Sequence, residues 1–293
     1  MKKAWPVIKK IFLIIFIFHV CWFLYFVFTN FSGAIEIKEF KMRFLIFAGI
    51  VTVIAIAYFL WLRKIAVIQK TVILVWKIIF TAYIIFFVYF LSGFVFNPPI
   101  TLTQIGSLLQ GNGLSRNYIS YDAMGPNIKL AVIASEDQTF PDHDGFDLKA
   151  IKLAIKYNKR HPGKVRGAST LSQQTAKNIF LFQGGGFLRK GPEVFFTFTI
   201  EAAWTKKIIL ERYLNVAEMG SGIFGVQAAA KKYFSKDAKD LTRIEAAQIA
   251  ACLPNPKRLS VKPLSNYVAG RANAIVKQME FLESDPDIAE IIH

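Results

Sequence analysis

Residues 131–145 read AVIASEDQTFPDHDG, an apolar run that ends on the adjacent acids Glu136 and Asp137 and gives way to a polar turn. The residues before the acids, Ile128 and Leu130 through Ala134, are almost wholly apolar, which predicts a buried helix segment. A carboxylate at the rim of such a core is partly desolvated, and desolvation moves its pKa toward neutral pH, where a base is useful. A lone Glu-Asp pair would more often be a solvated helix end. The functional weight of this one therefore depends on what lies downstream.

Four further blocks follow. Residues 167–178, GASTLSQQTAKN, place Ser169, Thr170, Ser172, Gln173, Gln174, Lys177 and Asn178 behind a small-residue turn at roughly helical spacing. RKGPE spans residues 189–193, ILERYLNVAEMGSGIFGVQAAAKKY spans 209–233, and LTRIEAAQIAACLPNP spans 241–256. In this order the five blocks resemble the signature motifs of the peptidoglycan glycosyltransferases, family 51, most closely the membrane-anchored monofunctional branch. The resemblance runs from about residue 98 to about residue 279, where a late pattern, YVAGRANAIVKQM, contributes Arg271.

The rest of the chain sets the context. It has 293 residues, a formal charge of +16, 54% hydrophobic and 15% aromatic residues, which excludes a disordered chain and a simple soluble domain. The apolar excess lies at the front, in runs at about 11–28, 44–62 and 78–96, each near the roughly 18 residues that cross hydrocarbon. Three transmembrane helices are expected in a membrane region covering residues 1–96. The first run follows Lys2, Lys3, Lys9 and Lys10 as a signal peptide would, but it ends in bulky aromatics where a cleavage site needs small residues, so it is expected to stay attached. His19 and Cys21 inside it read as lipid-facing or helix-packing residues.

The leading lysines and the group Arg63, Lys64, Lys70 and Lys77 mark the cytoplasmic side, while the loop 31–43 mixes Glu36 and Glu39 with Lys38, Lys41 and Arg43. The remainder is then expected outside a bacterial cytoplasmic membrane, as a multi-pass protein with an extracytoplasmic catalytic domain. Residues 97–127, rich in Pro, Gly, Ser, Thr and Asn, read as a juxtamembrane connector. Residues 128–293 read as one mainly α-helical domain, with helices at 148–158, 172–180, 192–215, 226–233, 242–252 and 265–282. Cys21 and Cys252 are not expected to pair, and His143 and His161 have no companion at metal-ligand spacing. No metal site is expected from the protein side chains alone.

Lys149, Lys152, Lys156, Lys159, Arg160, Lys164 and Arg166 form a basic tract, and no acid occurs between Asp147 and Glu193. Such runs are ordinarily solvated helix faces. On a domain tethered to a bilayer each cation also contributes about 1 kcal/mol toward an anionic surface. Nucleic acid is set aside, because no recognition motif and no interleaved aromatics accompany the charge.

What the resemblance implies is a lysozyme-like helical glycosyltransferase domain with a second lobe dipping toward the membrane. The implied reaction is inverting polymerisation of lipid II into β-1,4-linked glycan strands, with release of polyprenyl pyrophosphate. Glu136 matches the family's catalytic glutamate and is its expected general base; Asp137 is expected to orient it or the adjoining loop, and His143 and Gly145 to shape that loop. Glu193 matches the second functional glutamate, acting near the donor pyrophosphate through a divalent cation, Mg or Mn, or through a neighbouring protein cation. A helix-start acid after Pro192 would look the same. Lys177, Arg189, Lys190 and Arg271 are the expected phosphate contacts, and Ser169, Thr170, Gln173, Gln174 and Asn178 offer hydroxyls and amides to sugar and phosphate oxygens.

The chain departs from the family pattern where many relatives carry an arginine and it carries Gly184, Gly185 and Gly186. Glu211, Tyr213, Asn215, Gly220, Gly225 and Glu245 read as scaffold. Expected partners are lipid II, the growing glycan strand, the membrane and other wall-synthesis proteins. No S-x-x-K or K-T-G block is present, so cross-linking is expected to fall to another protein. Two other classes compete: a lytic enzyme with two carboxylates across a helical cleft, and a non-catalytic scaffold for wall synthesis.

Overall fold

The structure is a computed structural model that describes residues 5–26, 40–163, 166–184 and 189–293. Two compact units meet at Gly93 and Phe94. Among the described residues the first contains the α-helices α1 (Trp5–Phe26), α2 (Phe40–Leu60) and α3 (Ala66–Ser92).

Among the described residues α3 is the one helix long and apolar enough to cross a membrane, with 27 residues and a mean hydropathy of 2.3 over its most apolar window. At about 1.5 Å per residue it spans roughly 40 Å, more than the roughly 30 Å of a hydrocarbon core. The apolar stretches of α1 and α2, Lys10–Tyr25 and Leu45–Leu60, are shorter. Of the three spans expected at 11–28, 44–62 and 78–96, one qualifies among the described residues. Its bounds also move, because Val72 to Trp76 carry no helix breaker and the helix runs unbroken through Lys70 and Lys77. Those two lysines, expected as flanking charges, ride on the helix itself.

His19 is a helix-packing residue: its Nδ1 lies 3.1 Å from the Tyr83 hydroxyl, and Phe16 packs edge-on against Tyr83 at 4.8 Å and against Trp76 at 5.6 Å. The mixed-charge residues 31–39 of the first loop lie outside the described residues.

The second unit is helical around a small sheet. Its helices are α4 (Leu102–Leu109), α5 (Pro126–Glu136), α6 (Leu148–Arg160), α7 (Leu171–Phe180), α8 (Lys190–Ala203), α9 (Lys206–Val216), α10 (Val226–Phe234), α11 (Arg243–Cys252), α12 (Asn266–Leu282) and α13 (Pro286–Ile292). The strands β1 (Ser115–Arg116), β2 (Glu218–Gly220) and β3 (Ile223–Phe224) order as β1-β3-β2, with β1 parallel and β2 antiparallel to β3.

The core is built on α5. Every residue from Ile128 to Ala134 is buried, so the helix is apolar nearly all round, with α11 and α12 packed against it. Pro126 supplies the first turn and Asp137, at φ −161°, ends it, so Glu136 is the last helical residue. A second layer packs α7 against α8 and α9.

Three readings change. Residues 97–127, expected as a connector, belong to the folded unit: Thr101 and Gln104 form a reciprocal capping box on α4, β1 pairs with β3, and the Asn97 side chain accepts hydrogen bonds from Arg212 and Asn215. Their polar residues are caps and ties, which composition alone reads as loop. The single helix expected at 192–215 is two, because Thr205 takes an extended conformation and its hydroxyl caps Ile208 N–H. A short closing helix, α13, was not expected; Asp285 caps its first turn.

Asn215 ties these parts together. Its side chain exchanges two hydrogen bonds with the Ile119 backbone, 3.0 and 2.9 Å, and its carbonyl abuts Gly225. Gly225 sits at φ +83°, and a Cβ there would lie 2.5 Å from Asn215 O. Gly225→Ala is expected to cost roughly 2–4 kcal/mol, read as a lowered thermal midpoint in detergent.

Candidate active site

Glu136 leaves the end of α5 partly buried, and its Oε2 accepts a hydrogen bond of 2.7 Å from Gln174 Nε2 on α7. Burial raises the carboxyl above its ordinary pKa; the Gln174 bond, Arg271 and Lys177 oppose that rise, and Asp137 adds to it. The result is a carboxylate more basic than a surface glutamate, yet faced by two cations that favour its ionised form. Arg271, on α12, reaches the Ser135 carbonyl at 3.4 Å and so stands at the same helix end.

Asp137 does different work. It is buried, and its carboxylate accepts the Leu171 N–H at 2.8 Å and His143 Nε2 at 3.1 Å. His143 Nδ1 accepts from Gly145 N–H, which leaves the proton on Nε2, facing Asp137. The acid thus pins the start of α7 to the loop after α5. Thr170 caps α7, donates to Gly145 O at 2.6 Å and forms a capping box with Gln173. Asp137 and Thr170, grouped by sequence with the substrate contacts, have their polar atoms occupied in positioning this loop and helix, and Gln173 gives its Oε1 to the same cap.

A half-buried ion pair supports the loop from the other side. Lys206 Nζ donates to His143 O at 2.5 Å and to both Glu201 oxygens at 2.8 and 3.0 Å, and Ser172 donates to Glu201. Gly145, at φ +87°, lies so close that a Cβ would come within 2.8 Å of Glu201 Cγ and Thr197 Cγ2. His143 and Gly145 thus shape the loop, and Glu201 and Lys206 are supports that the sequence reading missed.

The second glutamate, Glu193, is 2% exposed and lies in the first turn of α8. Lys190 Nζ is 2.5 Å from its Oε1 and Arg189 Nη1 is 3.1 Å from its Oε2. Lys190 also approaches Ser169 Oγ at 3.5 Å, and Arg189 Nε donates to Gly184 O at 2.8 Å. Gly184 therefore contributes a carbonyl to Arg189; Gly185, Gly186 and Lys164 lie outside the described residues.

A cavity of about 400 Å³ opens beside these groups. Gln174, Lys177, Asn178, Gly184 and Arg189 line one side, and Glu218, Asn255 and Lys257 are among the residues of the other. Burial, with Arg189 and Lys190 nearby, lowers the Lys177 pKa, while Glu193 and Glu136 act the other way. Glu218 is buried and occupied by Gly222 N–H at 3.1 Å and Gln183 at 3.4 Å. Lys257, Asn255, Gln183 and Glu218 were missed as wall residues; the Pro-Asn-Pro turn closing the fifth block was the available signal for two of them. Among the described residues no group of three or more His, Cys, Asp or Glu could hold a metal.

Residues 102–280 match the family model described as Transglycosylase. This chain belongs to the transglycosylase family. The transglycosylase is 48% identical over 194 residues to proteins named biosynthetic peptidoglycan transglycosylase from Escherichia coli (Crooks strain), Escherichia coli O157:H7 and Shigella boydii serotype 4. Each alignment covers 65% of this chain and 80% of the relative.

The raised carboxyl carries a linkage consequence for the transglycosylase. An acid whose folded pKa lies above its unfolded one destabilises the fold at pH values above both, and that cost disappears below the unfolded pKa. Glu136→Gln is therefore expected to raise the thermal midpoint at neutral pH, with the gain shrinking as pH falls toward 4.5, the carboxyl's ordinary value. Unfolding curves of both proteins across pH measure this.

Proposed function

We propose that this transglycosylase is a peptidoglycan glycosyltransferase of cell wall synthesis, polymerising lipid II into β-1,4-linked glycan with inversion. The observation that carries the reading is Glu136: a carboxylate at the end of a buried helix, raised in pKa, held by Gln174, which also lines a cation-walled cavity. In the proposed step Glu136 takes the proton of the acceptor's 4-hydroxyl. The hydroxyl oxygen bonds to the donor's anomeric carbon, and the bond from that carbon to the pyrophosphate oxygen breaks. Lipid pyrophosphate leaves with the electron pair.

The negative charge that builds on the leaving group needs fixed positive charge nearby. Lys177, Arg189 and Lys257 on the cavity wall, with Lys190 beside Arg189, are suited to supply it. Arg271 serves to hold Glu136 ionised. Ser169 and Asn178 remain as polar contacts for sugar or phosphate oxygens. Glu193 then acts by fixing Arg189 and Lys190 in place. A divalent ion at Glu193 fits poorly, since both carboxylate oxygens already face a cation. The same pairing disfavours a lytic reading, in which a second carboxylate has to be free to attack or to activate water.

The substrate's lipid tail requires a bilayer, and α3 supports attachment to one. We place the domain on the extracytoplasmic face, with α1 and α2 as further membrane-associated helices.

Labelled lipid-linked precursor supplied to the full chain in detergent tests the proposal. Wild type is expected to form polymer and release polyprenyl pyrophosphate, with and without a metal chelator. Glu136→Gln is expected to lose about 10²- to 10⁴-fold of that rate while still binding precursor. No polymer from folded wild type would support the scaffold reading, and shortening of preformed strands the lytic one.

A further inference from the structure

Tyr213 lies on α9 with 1% of its surface exposed, and its hydroxyl is 3.2 Å from Gln174 Oε1. The opposite end of the same amide, Nε2, is the donor to Glu136. We infer that Tyr213 is a positioning residue for the base: by donating to Gln174 Oε1 it fixes the amide in the orientation that offers N–H, not C=O, to Glu136. This rests on the reading of Glu136 as the general base.

The argument is one of hydrogen-bond polarity. A side-chain amide has a donor end and an acceptor end, and it can turn over. Burial holds the Tyr213 phenol well above its ordinary pKa, with the Glu136 charge adding to the effect, so at any working pH it still has a proton to give. A phenol that donates needs an acceptor, which selects Oε1 on its side and Nε2 on the other. That arrangement suits an ionised Glu136. If Glu136 were protonated and the amide turned over, the acid would donate to Oε1 and Nε2 to the phenol oxygen, and the buried phenol proton would lose the Gln174 oxygen to which it donates. Tyr213 therefore favours the basic form of the catalyst without touching it.

Other groups facing Glu136 are accounted for separately. Lys177 comes from α7 and Arg271 from α12, and both favour the carboxylate; Asp137, the next residue, opposes it. None of these supplies the direction of the amide. Tyr213 looked like packing in the sequence because it is fully enclosed. Its ring is packing, and its hydroxyl is the part with a role in the site.

The test is the pH profile of polymerisation by full-length Tyr213→Phe. The ring is kept, so the fold is expected to survive. The variant is expected to lose roughly three- to tenfold in rate on the acid side of the profile, with the loss closing as pH rises, because one hydrogen bond favouring the ionised base is gone. The acid limb moves to higher pH, and KM for the precursor stays at the wild-type value. Gln174→Met, close in size and without a hydrogen-bonding amide, is expected to move the limb in the same direction, and the double variant no further than Gln174→Met alone. A rate loss equal at every pH, or a double variant whose effects simply add, would overturn the inference. Glu136→Gln run alongside separates the two levels: full activity in that variant removes the base assignment itself. Its inactivity beside a Tyr213→Phe profile that superimposes on wild type removes only the relay.

Discussion

The Asp137 carboxylate is the contact on which the candidate active site depends. It accepts the first free N–H of α7 and the His143 imidazole together, and it is buried, so neither donor has water as a substitute. Through this one group the end of α5, the loop to Gly145 and the start of α7 become a single body. Glu136 sits on one part of that body and Gln174, Lys177 and Asn178 on another. Their mutual geometry therefore follows from a neighbour that itself faces protein on all sides. Asp137 is spent on structure, and its charge adds to the rise of the neighbouring Glu136 pKa.

Around that body a set of buried polar pairs replaces what loops would otherwise leave open. Lys206, paired with Glu201, holds the His143 carbonyl, and the Asn215 side chain holds the Ile119 backbone. Each ties an element to one distant in sequence, and each depends on both partners being present. The domain is helical, but its site is fixed by these side-chain ties to backbone more than by helix packing alone.

The sequence made the helical class and α5 legible, because apolar periodicity is local. What it hid was nonlocal or ambiguous by type. The capped stretch around Thr101 reads as linker because capping residues and loop residues are the same amino acids. Thr205 splits a run of good helix formers through its backbone conformation, which composition does not report. Thr170 and Gln173 look like ligand contacts until their partners are seen to be each other. Lys257 and Glu218 reach the cavity only through the fold of segments whose local pattern is scaffold. The apolar runs near α1 and α2 do fall on helices, and among the described residues α3 is the one that meets the length and hydropathy of a span.

The double pairing of Glu193 gives the cavity a resting charge balance of its own. Two of its cations are already neutralised by a fixed, buried counter-ion that no exchange with solvent can remove. Mobile chloride or inorganic phosphate meets a muted field there. The internal counter-ion thus keeps Arg189 and Lys190 placed and partly neutralised before any guest arrives, so the basic wall is preset by the protein and not by ions from solution.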